Sequence, residues 1–254
     1  MTDPHYLEGY RDPQAYDLEE AGYVADIPIT EQCAREFGGP LLDIACGTGT
    51  MAIRLAAQGY TVTGIDIIPE MIAWAAQKAT AQNVAVEFAV ADARTFHLNQ
   101  QFRFIYMLGN AFQHFLTRAD QEALFARVRE HLHSDGAFLF CTRNPSPRNT
   151  DQARFSEPQT STAPDGTQLV SSETQRYDPL AQIQYYTFHS RWIMPEGQPQ
   201  KEQTTYTALR YVYPQEMEAL LHYNGFRIRA CYGAWDQTPL TADSRNMIYL
   251  CQKR

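Results

Sequence analysis

Short apolar runs alternate with amphipathic stretches over the first 142 residues, and this pattern predicts strands alternating with helices. The predicted strands cover 41–44, 61–65, 84–90, 104–108 and 137–142, and the predicted helices cover 29–37, 50–58, 69–81 and 119–132. A helix from Pro214 to Gly225 and strands over 226–232 and 246–251 follow later. Short connections between alternating elements imply an α/β fold, with a doubly wound, mostly parallel, seven-stranded sheet.

The alternation stops after Arg143. Residues 148–166 are rich in Pro, Ser, Thr, Gly and Asp and predict a loop. Three runs with strand periodicity follow at 168–177, 183–194 and 203–213 and predict an antiparallel meander. The expected domains are therefore a core of residues 1–166 and 214–254 with an antiparallel β lid inserted at 167–213. Within that core we expect an N-terminal cover at 1–37 and a loop at 143–166.

Composition narrows the possible partners. The formal net charge of the 254-residue chain is -8 and no basic run stands out, which argues against nucleic acid as a partner. No apolar run approaches the ~20 residues that span a bilayer, and the first residues lack the features of a signal peptide. The five cysteines are scattered without metal-ligand spacing, so we expect no metal. A cytoplasmic protein with a small-molecule partner is predicted.

A glycine turn follows the first predicted strand, in the stretch Asp43 to Gly49 (DIACGTG). Glycine at Gly47 and Gly49 allows a tight turn and a close approach of a ligand to the main chain, and the helix that follows supplies free amide hydrogens. The same turn occurs in dinucleotide-binding enzymes, so an NAD(P)-linked oxidoreductase is a first alternative. A turn without a ligand is another.

Acidic residues end three of the strands and favour a different cofactor. Asp66, 17 residues after Gly49, is placed to accept hydrogen bonds from ribose hydroxyls, as it would be in either class of enzyme. Asp43 beside the first strand suits a cationic ammonium, which NAD lacks, and Asp92 after the third strand suits an adenine amino group. Each acid taken alone also suits a helix cap.

These segments resemble the motifs of class I S-adenosylmethionine-dependent methyltransferases in order and spacing: LLDIACGTGT at 41–50, VTGIDIIPEM at 62–71, VEFAVADARTF at 86–96 and SDGAFLF at 134–140. The resemblance implies a Rossmann-like fold that binds S-adenosyl-L-methionine. The family often has a third glycine where this chain has Ala45. The cofactor-binding residues that the resemblance implies are Tyr16, Tyr23, Asp43, Ala45, Cys46, Gly47, Gly49, Asp66, Ile67, Met71, Ala91, Asp92, Ala93, Leu108 and Asn110.

The acceptor is expected beyond the carboxyl ends of the fourth and fifth strands. His114 is the candidate catalytic base, although it equally suits a packing role. Alternation within 183–194 gives one face with Tyr185, His189 and Arg191, which is predicted to close over the acceptor. A dimer interface or a second small core remains an alternative for this face, so a homodimer is possible. The candidate substrate-binding residues are Gln113, Arg143, Arg191, Arg210 and Tyr211.

The sequence thus predicts transfer of a methyl group from S-adenosyl-L-methionine to an oxygen or nitrogen of a small molecule. Besides the oxidoreductase, a non-catalytic protein that binds the same cofactor stays open.

Overall fold

The computed structural model describes residues 4–145, 153–162, 166, 168–194 and 199–254. The helices are η1 (a 3-10 helix, Pro4–Tyr10), α1 (Pro13–Glu19), α2 (Ile27–Phe37), α3 (Thr50–Ala57), α4 (Pro69–Ala81), η2 (3-10, Ala111–His114), α5 (Arg118–His131) and α6 (Pro214–Tyr223). The strands are β1 (Leu41–Ile44), β2 (Val62–Asp66), β3 (Glu87–Val90), β4 (Phe102–Met107), β5 (Leu132–Arg143), β6 (Ala153–Phe155), β7 (Gln159–Thr162), β8 (Gln168–Asp178), β9 (Ile183–Ile193), β10 (Pro199–Arg210), β11 (Phe226–Tyr232) and β12 (Asn246–Lys253).

Seven strands form the main sheet in the order β3-β2-β1-β4-β5-β12-β11. The first five strands run parallel, whereas β12 pairs antiparallel with β5 and β11 antiparallel with β12. The predicted α/β class with a doubly wound, mostly parallel sheet is confirmed. The strand order reverses between β1 and β4, and at such a switch point the carboxyl ends of neighbouring strands open into a crevice.

Apolar side chains cover both faces of this sheet. On one face, α5 and α6 pack with Leu124, Phe125 and Leu221 against the strands. On the other, α2 and α3 pack with residues such as Ile29 and Leu55. The central strands are buried on both faces, which is why they read as continuous apolar runs in the sequence.

The second sheet is antiparallel and lies in the order β10-β9-β8-β6, with β7 also paired to β8. The three long strands were predicted, but the loop prediction for 148–166 was wrong where β6 and β7 form. Both are too short to show a period of their own. They become strands because the free edge of β8 supplies their hydrogen-bond partners. Of the rest of 148–166, residues 156–158 and 166 are described and belong to no strand, whereas 148–152 and 163–165 lie outside the described residues.

Candidate active site

The glycine turn joins β1 to α3 and forms the floor of a cleft. Its backbone turns through the left-handed region at Ala45 (φ 57°), Gly47 (φ 53°) and Gly49 (φ 74°). The two glycines have different surroundings. A Cβ on Gly49 would lie 2.7 Å from Phe88 Cζ and 2.9 Å from Ala75 Cβ, whereas a Cβ on Gly47 would meet only Tyr16, at 3.7 Å. Gly49 therefore permits packing, and Gly47 keeps the main chain open toward the cleft.

Asp66, the last residue of β2, faces this turn from the neighbouring strand. Its Oδ2 accepts a hydrogen bond from the Gly47 amide (2.9 Å) and its Oδ1 accepts one from the Ile68 amide (2.9 Å). Burial raises the pKa of Asp66, and the amide donors partly offset this. Each carboxylate oxygen keeps a second lone pair, so Asp66 is oriented and can still accept from a ligand hydroxyl.

Asp43 lies in β1 beneath the turn and is 3% exposed. Burial raises its pKa well above its ordinary value, and the neighbouring Tyr106 hydroxyl only partly opposes this. Asp66 and Asp26 add negative charge nearby, which raises the pKa of Asp43 further. A buried acid beside other acids is a favourable place for a ligand cation, because a positive charge there would stabilise the carboxylate.

Asp92 lies at the opposite end of the cleft, after β3. The Arg94 guanidinium donates two hydrogen bonds to the Asp92 carboxylate, from Nε to Oδ1 at 2.9 Å and from Nη2 to Oδ2 at 2.5 Å. Arg94 also donates to Asp120 of α5 at 2.9 Å, so the pair is anchored to the core. Although burial opposes ionisation of Asp92, these contacts hold its pKa below the ordinary value. The carboxylate is thus charged and fixed where it borders the cleft.

The N-terminal segment closes the cleft from above. Tyr16 of α1 reaches from Gly47 toward Gly109, where its hydroxyl would lie 3.9 Å from a Cβ. Tyr10 of η1 lies edge-on to His114, with ring centroids 5.3 Å apart, and shares a hydrogen bond with Thr207 of β10. Burial raises the pKa values of both tyrosines, so both stay neutral. The cleft therefore has an aromatic roof over a polar floor.

His114 lines the cleft beyond the end of β4, and Arg143, the last residue of β5, acts on it electrostatically without being a lining residue. Burial, and then the Arg143 guanidinium, lower the pKa of His114 to about 4, so the imidazole is neutral at physiological pH. Arg143 also acts electrostatically on Tyr186 of β9, whose pKa burial raises and which hydrogen-bonds Tyr211. This end combines one cation with neutral aromatic and imidazole groups.

Most predicted cofactor residues meet at this cleft, which has a volume of about 950 Å³ including its open mouth. Those lining it are Tyr16, Ala45, Gly47, Asp66, Ile67, Met71, Ala91, Asp92, Ala93 and Leu108, together with His114. Asp43, Cys46, Gly49 and Asn110 lie within two positions of a lining residue in the sequence but do not line the cleft themselves. The Asn110 amide instead donates to Cys141 Sγ at 3.3 Å.

Several predicted residues lie elsewhere. Tyr23 is half-exposed and hydrogen-bonds Trp235. Gln113 is fully buried and donates to the Arg210 carbonyl at 3.3 Å. The Arg210 guanidinium binds Gln121 (3.0 Å), Gln182 (3.1 Å) and Glu216 (2.7 Å), so it joins β10 to α5, to the β8–β9 turn and to α6 rather than facing the cleft. These three placements correct the sequence-based assignments, because each side chain is occupied by partners far away in the chain.

The lid presents the opposite face from the one predicted. Tyr186 pairs with Thr207 across β9 and β10, and directly opposed residues share a face. Since Thr207 hydrogen-bonds Tyr10 and Tyr186 approaches Arg143, their face is the one toward the cleft. Alternation then directs Tyr185, His189 and Arg191 to the other side, where Tyr185 contacts Tyr6 (centroids 6.2 Å apart) and Arg191 is exposed. Tyr211 is buried behind Tyr186.

Further residues line the cleft that the predicted cofactor- and substrate-binding sets do not include: Leu7, Tyr10, Ile68, Arg94, Gly109, Ala111 and Phe115. Five of them adjoin a predicted residue in sequence, so extending each motif by one position would have found them. Leu7 and Tyr10 come from η1, whose docking on the lid no local pattern shows.

A separate cluster of potential metal ligands lies among the described residues, at His97, Glu130 and His131. One His131 ring nitrogen, Nε2, accepts from the Leu98 amide (2.9 Å), and the other, Nδ1, lies 2.8 Å from the Arg127 carbonyl. Both ring nitrogens are thus engaged with the backbone. In the described part of the chain, no helix is long and apolar enough to cross a membrane.

Comparison with known proteins agrees with this geometry. Residues 41–136 match a family model described as a methyltransferase domain. A putative methyltransferase of Geobacillus sp. (strain WCH70) is 34% identical over 127 residues, covering 48% of this chain and 51% of that protein. The glycine/sarcosine N-methyltransferase of Aphanothece halophytica is 32% identical over 106 residues, covering 41% and 40%. The chain thus spans about half the length, or less, of these relatives.

A solved structure covers nearly the whole chain. The CcbJ methyltransferase from Streptomyces caelestis superposes with a TM-score of 0.79 at 23% identity, over 96% of this chain and 97% of that one. The likeness includes the second sheet as well as the first. Residues 41–136 are thus similar to a methyltransferase domain, and the chain as a whole has the Rossmann-like α/β fold of the CcbJ methyltransferase.

Proposed function

We propose that this chain binds S-adenosyl-L-methionine in the cleft and transfers its methyl group to a small-molecule acceptor, at an amine nitrogen rather than an oxygen. The observation that carries the proposal is the arrangement of three acids at the strand-order switch: Asp43 is buried beneath the glycine turn that forms the floor of the crevice, and Asp66 and Asp92 line the crevice itself. These positions match an ammonium, a ribose and an adenine amino group in that order along one molecule.

Each residue then has a definite task in cofactor binding. Asp43 stabilises the ammonium of the methionine part, and a cation there favours the ionised carboxylate that burial disfavours. Asp66 accepts from the ribose hydroxyls with its remaining lone pairs, and Asp92 accepts from the adenine amino group while Arg94 holds it in place. Tyr16 covers the sulfonium, where its ring face attracts positive charge. The bound cofactor supplies an electrophilic methyl carbon.

His114 and Arg143 favour an amine as the acceptor. An imidazole whose pKa is lowered to about 4 is a poorer base for an alcohol than one that titrates near neutral pH. A neutral amine attacks with its own lone pair and needs no strong base. The Arg143 cation, which already disfavours protonation of His114, would likewise favour the neutral form of an amine close to it.

Arg143 also suits an anionic group on the same acceptor. Guanidinium binds carboxylate or phosphate through two parallel hydrogen bonds, and the Arg143 charge acts on three groups at this end: Tyr10, His114 and Tyr186. The Aphanothece relative is named for methylation of glycine and sarcosine, which are small amines with a carboxylate. A small amine bearing an anionic group is the proposed substrate class.

Two experiments test this function. Calorimetric titration with S-adenosylhomocysteine should show binding, whereas NAD should show none; binding of NAD alone would favour the oxidoreductase instead. A labelled-methyl assay should then compare amino acids with their hydroxy-acid and decarboxylated counterparts, and the expected order is amino acid first. Binding without turnover on any amine would favour a non-catalytic protein.

A further inference from the structure

Helix α1 is docked over the cleft with little apolar burial apart from the Tyr16 ring. None of its seven residues is buried, and Leu18 is 78% exposed. A helix this short is not stable on its own, so contacts with the core must hold it in place. Its partners on the core are polar, and they converge on one side chain, Asp17.

Asp17 accepts hydrogen bonds from three side chains of the core, one in the glycine turn and two in α4. Thr48 Oγ1 in the glycine turn donates at 2.6 Å, Trp74 Nε1 in α4 at 2.8 Å, and Lys78 Nζ, also in α4, at 2.9 Å to each carboxylate oxygen. Lys78 additionally donates to Thr48 (3.2 Å) and Thr50 (3.1 Å). Asp17 and Lys78 side chains are 29% and 21% exposed, so water screens the pair only in part.

The only other ion pair between this N-terminal segment and α4 in the described residues is weaker. Arg11 and Glu70 approach at 3.3 Å with side chains 55% and 42% exposed. Exposed pairs of this kind contribute little. The Asp17 contacts, which are charge-assisted and partly desolvated, are the stronger of the two.

Asp17 adjoins Tyr16 on the same helix, so the two side chains move together. Tyr16 spans the cleft from Gly47 to Gly109 and stands close enough to Asp66 for that acid to raise its pKa. If α1 lifts, Tyr16 leaves the roof of the cleft and opens a route past the methionine end. The Thr48 contact ties the same helix to the turn that forms the floor.

We propose that Asp17, with Lys78, Trp74 and Thr48, is a latch that fastens α1 over the bound cofactor and thereby sets how fast the demethylated product leaves. Asp17 is in this sense a positioning residue, since it acts through Tyr16 and touches no reacting atom. The inference rests on the proposed function for its ligand, but the latch itself is a property of the ligand-free protein.

The latch should stay formed across neutral pH. Burial opposes ionisation of Asp17, yet the donors from Thr48, Lys78 and Trp74 outweigh it and hold the pKa of Asp17 below its ordinary value. The carboxylate therefore keeps its charge well into the acid range, and the latch does not depend on a titration near pH 7.

Hydrogen exchange of the ligand-free protein tests the latch directly. In Asp17→Asn, peptides covering residues 13–20 should exchange faster than in wild type, while peptides from β1, β4 and β5 stay unchanged. Lys78→Met should give the same local effect from the α4 side. Glu19→Gln removes an equal charge from an exposed position of the same helix and serves as the control, with no change expected.

Stopped-flow dissociation of S-adenosylhomocysteine then tests the consequence. Asp17→Asn and Lys78→Met should each raise the dissociation rate by about tenfold, and the double variant by no more than either alone, because both break one network. Unchanged exchange and unchanged dissociation in Asp17→Asn would overturn the latch. If wild type fails to bind the ligand while α1 exchange still rises in the variants, the proposed cofactor is wrong and the latch stands.

Discussion

At the scale of single residues, identical residue types two positions apart serve different ends. Gly49 has a positive φ and no room for a Cβ between Phe88 and Ala75, whereas Gly47 has a positive φ and open space apart from Tyr16. Gly49 is therefore required for packing, and Gly47 is required for the access of a ligand to the main chain. The sequence motif is the same for both, and only the neighbours distinguish them.

Alanine substitutions should separate the two roles. Gly49→Ala should destabilise the protein by roughly 2–4 kcal/mol, from overpacking together with a left-handed backbone. Gly47→Ala should cost about 1–2 kcal/mol for the backbone alone, yet weaken S-adenosylhomocysteine binding by at least about tenfold. Urea unfolding and calorimetry measure the two effects. Equal destabilisation of both variants would contradict this division.

The protonation state of His114 is likewise determined by its immediate surroundings. Because burial and Arg143 lower its pKa to about 4, it stays neutral through the pH range in which such enzymes are assayed. We expect His114→Ala to reduce turnover by about tenfold or more, because the neutral ring lines the cleft and packs edge-on against Tyr10 and so helps to position the acceptor, while cofactor affinity stays within about twofold. The wild-type turnover profile should show no inflection from this group between pH 6 and 8. An inflection near 6.5 that disappears in the variant would refute the assignment, and unchanged turnover would exclude a catalytic role.

At the scale of elements, the alternation of side chains along a lid strand does not by itself determine which of its two faces meets the cleft. Strand β9 has two faces, one with Tyr186 and one with Tyr185, and both contain aromatic residues. Hydrogen bonding between Thr207 and Tyr10 directs the Tyr186 face toward the cleft. On the other face, η1 contacts the lid through two tilted ring pairs, Tyr6 with Tyr185 and His5 with Tyr206. The chain segment that selects the face is thus about 200 residues away.

Replacement by Met should have opposite effects at Arg210 and at Arg143: the first should lower stability, and the second should raise the acceptor KM. Arg210→Met removes three hydrogen bonds that join β10 to α5 and α6, and leaves Glu216 unpaired, so stability should fall by roughly 2–3 kcal/mol with acceptor KM unchanged. Arg143→Met should leave stability within about 1 kcal/mol and raise KM for an anionic amine by about tenfold. Thermal unfolding and initial rates measure these quantities. A raised acceptor KM in the Arg210→Met variant would instead indicate that Arg210 contacts the substrate.

At the scale of the whole molecule, buried acids gather at one end of the sheet and make stability depend on pH. Asp26, Asp43 and Asp66 are each less than 9% exposed, and the negative charges of Asp66 and Asp26 add to the burial that raises the pKa of Asp43. Burial raises the pKa of Asp26 from 3.8 to about 6, with Glu20 adding to the shift. The folded protein therefore binds more protons than the unfolded chain over this range.

The sign of the dependence follows from linkage. Since the folded-state pKa of Asp26 lies above the unfolded value, its contribution should reduce stability progressively as pH rises from about 4 to 6 and stay constant above that. Asp26→Asn should remove this slope and stabilise the protein at pH 7.5 by up to about 3 kcal/mol. Denaturation midpoints at pH 4.5, 6 and 7.5 measure it. A variant that is less stable at pH 7.5 than wild type would contradict the prediction.

Much of the fold follows from signals that are local in the chain. The period of apolar residues marks β1, α4 and β11 at their observed bounds, proline marks where α4 and α6 begin, and Gly225 follows the end of α6. The carboxyl ends of parallel neighbouring strands must meet at one edge of the sheet, so Asp66, Asp92 and the glycine turn are brought to one crevice by topology alone. For this reason the cofactor end of the site could be predicted.

The acceptor end was decided by tertiary contacts. Whether Arg143 or Arg210 meets a ligand depends on which of them finds protein partners, and Gln121, Gln182 and Glu216 reach Arg210 from separate elements. Strand alternation is symmetric between its two faces, and helix α1 carries no apolar stripe that predicts where it docks. Local sequence determined the strands, the turn and the acids at their ends, because those signals act within a few residues. Distant pairings determined the roof, the inward face of the lid and the placement of Arg210 away from the cleft, because their energies arise only once the chain has folded.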